Sequence, residues 1–201
     1  LKLRSHAIGG NNDFLLDLQI DKEDVGYVKL GYKEFRVFYD GTGGVWPPTR
    51  FSSSFYNEEL AIDRGNLWFE AGYTPEDAVN FVFRYDLFTR EGTKDSTSWG
   101  DTGLAINAAN TRNILPTFLR IDEKRQQILA SLSRHGTQHS WNLGLRADKG
   151  DYTNSRNERR RIGEPQDRKV TQKEGQDYDM FQVRGSYENR ISEQLWITTA
   201  V

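Results

Sequence analysis

Residues 79–87 have the sequence VNFVFRYDL, in which apolar and polar side chains alternate. One parity carries only apolar or aromatic residues: Val79, Phe81, Phe83, Tyr85 and Leu87. The other parity carries polar residues with one apolar exception: Asn80, Val82, Arg84 and Asp86. Because successive side chains of a β-strand point to opposite faces, this segment is predicted to be a strand with one apolar and one charged face.

The same alternation recurs along the chain. It appears in segments 16–20, 28–39, 67–73, 127–133, 141–148, 181–188 and 195–201. Together these segments predict about eight strands of roughly 8–12 residues, and no segment has the pattern of an amphipathic helix. The phase of the alternation slips between Tyr32 and Phe35, so a β-bulge is expected there.

The connections between these segments alternate in length. Short turns are predicted around residues 22–25, 74–77, 135–138 and 189–193, and long loops at 40–65, 91–123 and 149–177. Tight turns at one end and long loops at the other are typical of an antiparallel, up-and-down transmembrane β-barrel, with periplasmic turns and extracellular loops. A soluble sandwich mixes the two ends through Greek-key crossovers.

Composition narrows the function classes. The 201 residues carry a net charge of −2, which gives no reason to expect a nucleic-acid partner. The chain has no cysteine, which excludes disulfides, thiolate catalysis and cysteine-ligated zinc. The chain starts at Leu1 and stops within a predicted strand at Val201. We therefore expect residues 1–201 to be a single barrel segment, truncated at both ends, of a longer protein of the bacterial outer membrane.

The parity of each strand predicts which side chains face the lumen and which face lipid. The lumen-facing set is polar and carries both signs of charge: Asp17, Gln19, Asp21, Lys29, Lys33, Glu70, Asn80, Arg84, Asp86, Asn142, Arg146, Asp148, Gln182, Arg184 and Glu188. Ion pairs across strands are expected in this set, and strong ion selectivity is not. The lipid-facing set is apolar: Leu67, Phe69, Phe81, Phe83, Tyr85, Leu143, Leu145 and Val183.

Two groups of residues flank the apolar positions. Tyr73, Trp141 and Tyr187 share the apolar parity and adjoin short turns, so they are predicted to form an interfacial aromatic girdle. The alternative is that they are ordinary aromatics of a soluble core. Arg159, Arg160 and Arg161 form a basic loop, which would bind lipopolysaccharide phosphates or be neutralised by its own acidic neighbours.

Motifs for catalysis or metal binding are weak. His135 and His139 straddle a predicted tight turn and are interpreted as solvated turn residues. Residues 95–101 contain serine and aspartate without a histidine or a G-x-S-x-G elbow. We therefore expect no enzymatic activity and no cofactor bound by this segment.

One stretch resembles a known family. The strand ending FRYDLF, followed by residues 90–101 with the sequence REGTKDSTSWGD, is similar to the MtrB/PioB family of decahaem-associated outer-membrane proteins, and residues 163–172 add to the resemblance. The resemblance implies a large barrel that sheaths a periplasmic multihaem cytochrome and conducts electrons through haem carried by that partner. Members of the family often have cysteine near the mature N-terminus, and none is present here.

The main rival hypothesis is a soluble extracellular β-sandwich that binds carbohydrate. In that case Trp46, Trp68 and Trp99 would be the sugar-stacking platforms. Such a sandwich would bury the apolar parity between two sheets, whereas a barrel would turn it to lipid.

Overall fold

The computed structural model describes residues 1–39, 60–76, 78–101, 112–160, 165–192 and 195–201. Within these ranges it describes all side chains except those of residues 97, 99–101, 112–116 and 159.

The described residues form nine β-strands. Their bounds are β1 Lys2–Ile8, β2 Asp13–Lys22, β3 Gly26–Phe38, β4 Ala61–Tyr73, β5 Asn80–Asp101, β6 Arg112–His135, β7 His139–Arg160, β8 Arg168–Arg190 and β9 Trp196–Ala200. Each strand pairs with the next along the chain, and every pair is antiparallel. The result is one up-and-down sheet in the order β1 to β9, with β1 and β9 as its two edges. The predicted all-β, antiparallel, up-and-down arrangement is confirmed.

The strand count and the alternation of connections need correction. β1 was missed, because its short sequence KLRSHAI alternates weakly. β1 and β2 are joined by residues 9–12 alone, at the end of the sheet where only long loops were expected. Gly10 and Asn12 have positive φ values of 87° and 45°, which suits a tight reversal by residues that tolerate this conformation.

Much of what was predicted as loop is strand. β5, β6, β7 and β8 have 22, 24, 22 and 23 residues, so most of segments 91–123 and 149–177 continues the sheet. The extensions of β5, β7 and β8 are mostly polar, and that of β6 carries apolar residues on both faces, such as Phe118 and Ile121, so none has the alternation that indicates a strand. At about 3.3 Å per residue, each long strand runs roughly 70 Å, far beyond the roughly 30 Å of a hydrocarbon core.

The predicted bulge in β3 is wrong. β3 pairs with β4 in one unbroken register from Gly26 opposite Tyr73 to Phe38 opposite Ala61. Phe35 and Val37 therefore leave the apolar face and lie on the polar one. The phase slip in the sequence marks a change in which face is apolar, not an inserted residue.

The two faces of the sheet differ sharply in chemistry. We call the face that carries Phe83 the apolar face and the face that carries Arg84 the polar face. Each of the strands β2 to β8 exposes at least one large apolar or aromatic side chain on the apolar face, for example Val28, Leu145 and Phe181. Two aspartates of the polar face are buried instead: Asp86 is 2% and Asp148 3% exposed.

Glycine and aromatic residues interlock on the polar face. Trp68 lies over Gly31 on the neighbouring strand, and Tyr27 lies over Gly72, so closely that a Cβ atom at either glycine would overlap the ring. An aromatic side chain thus fills the space that the glycine leaves on the adjacent strand, a device that permits a curved sheet.

In the ranges that the structure describes, no helix has the length and apolar character needed to cross a membrane.

Candidate functional site

The polar face is the candidate site because it gathers the predicted lumen-facing residues. Antiparallel partners lie on the same face, and the register aligns Lys29, Glu70 and Arg84 across three strands. The same register and the alternation along each strand place all members of the predicted set on this face: Asp17, Gln19, Asp21, Lys29, Lys33, Glu70, Asn80, Arg84, Asp86, Asn142, Arg146, Asp148, Gln182, Arg184 and Glu188.

A first group of charges crosses β3, β4 and β5, and we call Lys29, Glu70, Arg84 and Asp86 the Glu70 cluster. Arg84 donates through Nε and Nη2 to the two carboxylate oxygens of Asp86, at 2.6 and 2.8 Å. Its Nη1 donates to Glu70 Oε2 at 2.9 Å, and Lys29 Nζ donates to Glu70 Oε1 at 3.1 Å. Two cations and two carboxylates therefore neutralise one another, as the predicted ion pairs across strands required.

A second group joins β6, β7 and β8, and we call Arg125, Gln127, Arg146, Asp148 and Tyr178 the Asp148 cluster. Asp148 accepts hydrogen bonds from Gln127 Nε2 at 3.0 Å, from Arg146 Nη2 at 2.9 Å and from the Tyr178 hydroxyl at 3.1 Å. Arg125 donates to both carboxylate oxygens, with Nε 2.9 Å from Oδ1. A carboxylate this buried is tolerated because its acceptor sites are filled.

Arg125 and Tyr178 of the Asp148 cluster were not among the residues predicted from the sequence. Arg125 lies at the boundary of the predicted loop 91–123, and Tyr178 lies at that of 149–177. Both share the parity of the polar side chains on their strand, so extending the alternation by two residues from Gln127 and by three from Phe181 would have found them. Their convergence on Asp148 depends on strand register, which the sequence does not provide.

The remaining predicted residues are less connected. Arg4 of β1 pairs with Asp17, and Gln19 Nε2 donates to Asp21 at 2.7 Å. Asn80 has a buried Oδ1 with no hydrogen-bond partner. On β8, Gln182, Arg184 and Glu188 are exposed and make no side-chain hydrogen bond with another described residue. The predicted lumen-facing residues thus divide into those of the two charge clusters and others that make few side-chain hydrogen bonds.

The apolar face holds the predicted lipid-facing and girdle residues together. Phe69 and Phe83 contact each other across β4 and β5, with ring centroids 6.4 Å apart. Trp141 is opposite Tyr187 on β7 and β8, and Tyr73 is opposite Phe81. The same face carries the rest of the predicted set: Leu67, Phe81, Tyr85, Leu143, Leu145 and Val183.

The residues predicted as a basic loop are only partly described, and Arg159 and Arg160 end strand β7 instead of forming a loop. Arg160 Nη2 donates to Glu158 at 2.9 Å, which matches neutralisation by an acidic neighbour. Burial raises the pKa of Glu158, but hydrogen bonds from Ser98 and Arg160 outweigh it and hold the pKa below its usual value. The side chain of Arg159 and the whole of Arg161 lie outside the described residues.

Two of the residues considered for metal binding or catalysis have other partners in the part of the chain that the structure describes. No group of three or more His, Asp or Glu side chains there could hold a metal ion. His139 is occupied by Tyr187, whose hydroxyl lies 2.8 Å from His139 Nδ1. Ser98, in the segment considered for a nucleophile, donates to Glu158 at 2.5 Å.

No protein-family model, curated protein or solved structure matches this chain.

Proposed function

We propose that this sheet is part of the wall of an antiparallel β-barrel in the bacterial outer membrane. The apolar face contacts lipid and the polar face lines a lumen through which solutes, or an inserted partner, pass. The protein would form a porin-like channel and would catalyse no reaction with these residues.

One observation carries the proposal: within the apolar band and the charge clusters opposite it, the usual distribution of burial is inverted. Leu143, Leu145 and Val183 are 40%, 41% and 52% exposed, whereas Asp86 and Asp148 are almost fully buried. A contiguous exposed apolar surface across seven neighbouring strands marks an interaction with another apolar phase. Lipid is that phase for a sheet whose strands satisfy their backbone groups with each other.

The height of the apolar face suits a bilayer. On β5, apolar side chains occupy the face from Phe81 to Leu87, and Thr89 and Glu91 follow. On β7, Trp141 to Ala147 are followed by Lys149 and Asp151. Seven residues of strand span roughly 20 Å, close to the roughly 25 Å apolar band of outer-membrane barrels. The longer strand extensions would stand in the extracellular space.

The polar face has the charge balance expected of a wall that lines a water-filled lumen. The Glu70 and Asp148 clusters pair nearly all of their charges, so the wall is polar without a strong net field. Such a lumen admits water and polar solutes and discriminates weakly between cations and anions at the level of these clusters.

The rival carbohydrate-binding sandwich receives less support. Trp68, one of its three supposed platforms, packs its ring over Gly31 and is half-buried. Trp46 and the side chain of Trp99 lie outside the described residues. Within those residues there is a single sheet, so nothing covers the apolar face as a second layer would.

A narrower proposal follows from the family resemblance alone: the barrel would sheath a periplasmic multihaem cytochrome, and the haem would belong to that partner. Affinity purification of the tagged full-length protein from a native membrane tests it. Co-purification of a protein with haem absorption is the expected result, and a haem-free preparation would restrict the proposal to a porin.

Planar-bilayer conductance of the full-length protein, refolded in detergent, tests the channel itself. We expect stepwise, lasting currents. Protein that stays soluble after detergent removal and carries no current would refute the membrane assignment and favour the sandwich.

A further inference from the structure

The polar face contains a second kind of site, on the side of the long strand extensions. A cavity of 340 Å³ lies there between β3 and β7, one to three residues beyond the end of the apolar band. Its volume is at the lower end of the roughly 300–1,000 Å³ of small-molecule sites. We call it the arginine cavity, after Arg64 and Arg90 in its wall.

Two cations of the arginine cavity are not neutralised by a described carboxylate, unlike those of the two clusters. Arg64 of β4 stands directly opposite Arg90 of β5. Like charges in such a cross-strand pair repel each other. Arg90 has a carboxylate partner, Glu123, at 3.2 Å. Among the described residues, Arg64 and Lys33 have none, although both line the cavity.

Two buried polar atoms at the cavity also lack partners. Asn66 Oδ1 and Arg90 Nε are buried and make no hydrogen bond. A buried acceptor or donor without a partner costs free energy, and a ligand that supplies the partner recovers it. The cavity therefore offers one buried acceptor, one buried donor and two cations without carboxylates.

Aromatic rings complete the walls. Phe35 lies beneath the Lys33 ammonium, 5.4 Å from nitrogen to ring centroid, and Phe88 lies beneath the Arg125 guanidinium at 5.7 Å. Tyr152 closes the β7 side and stacks on Tyr178, with centroids 5.8 Å apart. Rings on facing strands provide flat apolar contact for a planar ligand.

We propose that the arginine cavity binds a small aromatic carboxylate that carries a hydrogen-bond donor. The carboxylate would bind between Arg64 and Lys33, the ring would lie among Phe35, Phe88 and Tyr152, and the donor would reach Asn66 Oδ1. The role of this site in solute capture rests on the proposed function, because it lies on the face assigned to the lumen.

The test is equilibrium dialysis of the detergent-solubilised, full-length protein against 4-hydroxybenzoate. We expect saturable binding that weakens about tenfold or more in Arg64→Gln and in Lys33→Gln, each of which removes one charged hydrogen-bond donor. Lys124→Gln, an exposed cation of the apolar-face parity, is the matched control and should bind like the parent. The neutral 4-hydroxybenzyl alcohol and the ringless acetate should both bind more weakly than 4-hydroxybenzoate.

The outcomes separate the site from the channel. Protein that conducts in bilayers but shows no saturable 4-hydroxybenzoate binding overturns the site and leaves the channel. Binding that Arg64→Gln and Lys33→Gln leave unchanged overturns the site as well. Protein that binds 4-hydroxybenzoate, loses that binding in both variants and yet carries no current supports the site and refutes the channel.

Discussion

Arg84 holds Asp86, its neighbour two positions along β5, with two parallel hydrogen bonds of 2.6 and 2.8 Å. The same spacing recurs on β7, where Arg146 donates to Asp148 at 2.9 Å and Arg160 to Glu158 at 2.9 Å. Residues two apart on a strand share a face, so an acid and a base at this spacing neutralise each other before any partner strand contributes. The polar wall is therefore stabilised both within strands and between them.

Replacing Asp148 by alanine should destabilise the fold. The substitution leaves Arg125 and Arg146 without their shared carboxylate, and we expect the free energy of unfolding to fall by about 1–3 kcal/mol. Urea unfolding in detergent, followed by tryptophan fluorescence, measures it. Asp179 is exposed on the apolar face of β8, so Asp179→Ala should change the free energy of unfolding by about 0.5 kcal/mol or less. Equal losses in both variants would contradict the role of the Asp148 cluster.

Placing a charge on the apolar face should impair insertion. Phe83→Arg is expected to cost about 2–4 kcal/mol if Phe83 faces the middle of the bilayer. Folding into lipid vesicles, titrated with urea, gives the difference from the parent protein. Thr89→Arg is the matched control, because Thr89 lies on the same strand and face beyond the apolar band and should cost about 0–1 kcal/mol. If both variants insert like the parent, this face does not contact lipid.

Adding a methyl group to Gly31 should force Trp68 out of place. The new Cβ atom would overlap the Trp68 ring, and crowding of this kind costs about 1–3 kcal/mol. In a double-mutant cycle measured by urea unfolding, Trp68→Ala should remove most of the penalty of Gly31→Ala. Additive effects of the two substitutions would show that the ring and the glycine do not interlock. Gly175→Ala, where a Cβ atom meets nothing within 4 Å, serves as the control.

Acid should lower the free energy of unfolding through Asp63 of β4. Hydrogen bonds from Arg36, at 2.7 Å to each carboxylate oxygen, lower the pKa of Asp63 despite its partial burial. A carboxyl whose pKa is lower in the folded state stabilises the fold above its unfolded value of about 3.9 and loses that contribution as pH falls through the folded value. Unfolding free energies should therefore decline below about pH 4.

The Asp63→Asn variant isolates this contribution. It should be less stable than the parent at neutral pH, and the difference should shrink as the pH falls below about 4. A difference that stays constant with pH would show that the Asp63 charge does not stabilise the fold.

Much of the fold could be predicted from local pattern. In each predicted strand, an alternation like that around Phe83 and Arg84 indicated the face of the predicted lumen-facing and lipid-facing residues. Side-chain direction in a strand is a property of adjacent residues. The predictions failed where the alternation of apolar and polar residues is weak or changes face. β1 and the extensions beyond residue 90 lack a consistently apolar parity, and Phe35 and Val37 are apolar on the polar face.

The amino-acid sequence by itself determined the face of the side chains in the strongly alternating segments and which acid lies beside which base, as in Arg84 with Asp86. Both properties depend only on spacing along one strand. The tertiary structure decided what converges from different strands: the three groups of β6 and β8 around Asp148, the ring of Trp68 over Gly31, and Arg64 opposite Arg90. These contacts depend on strand register, and a shift of one residue in register would bring every side chain to a different neighbour.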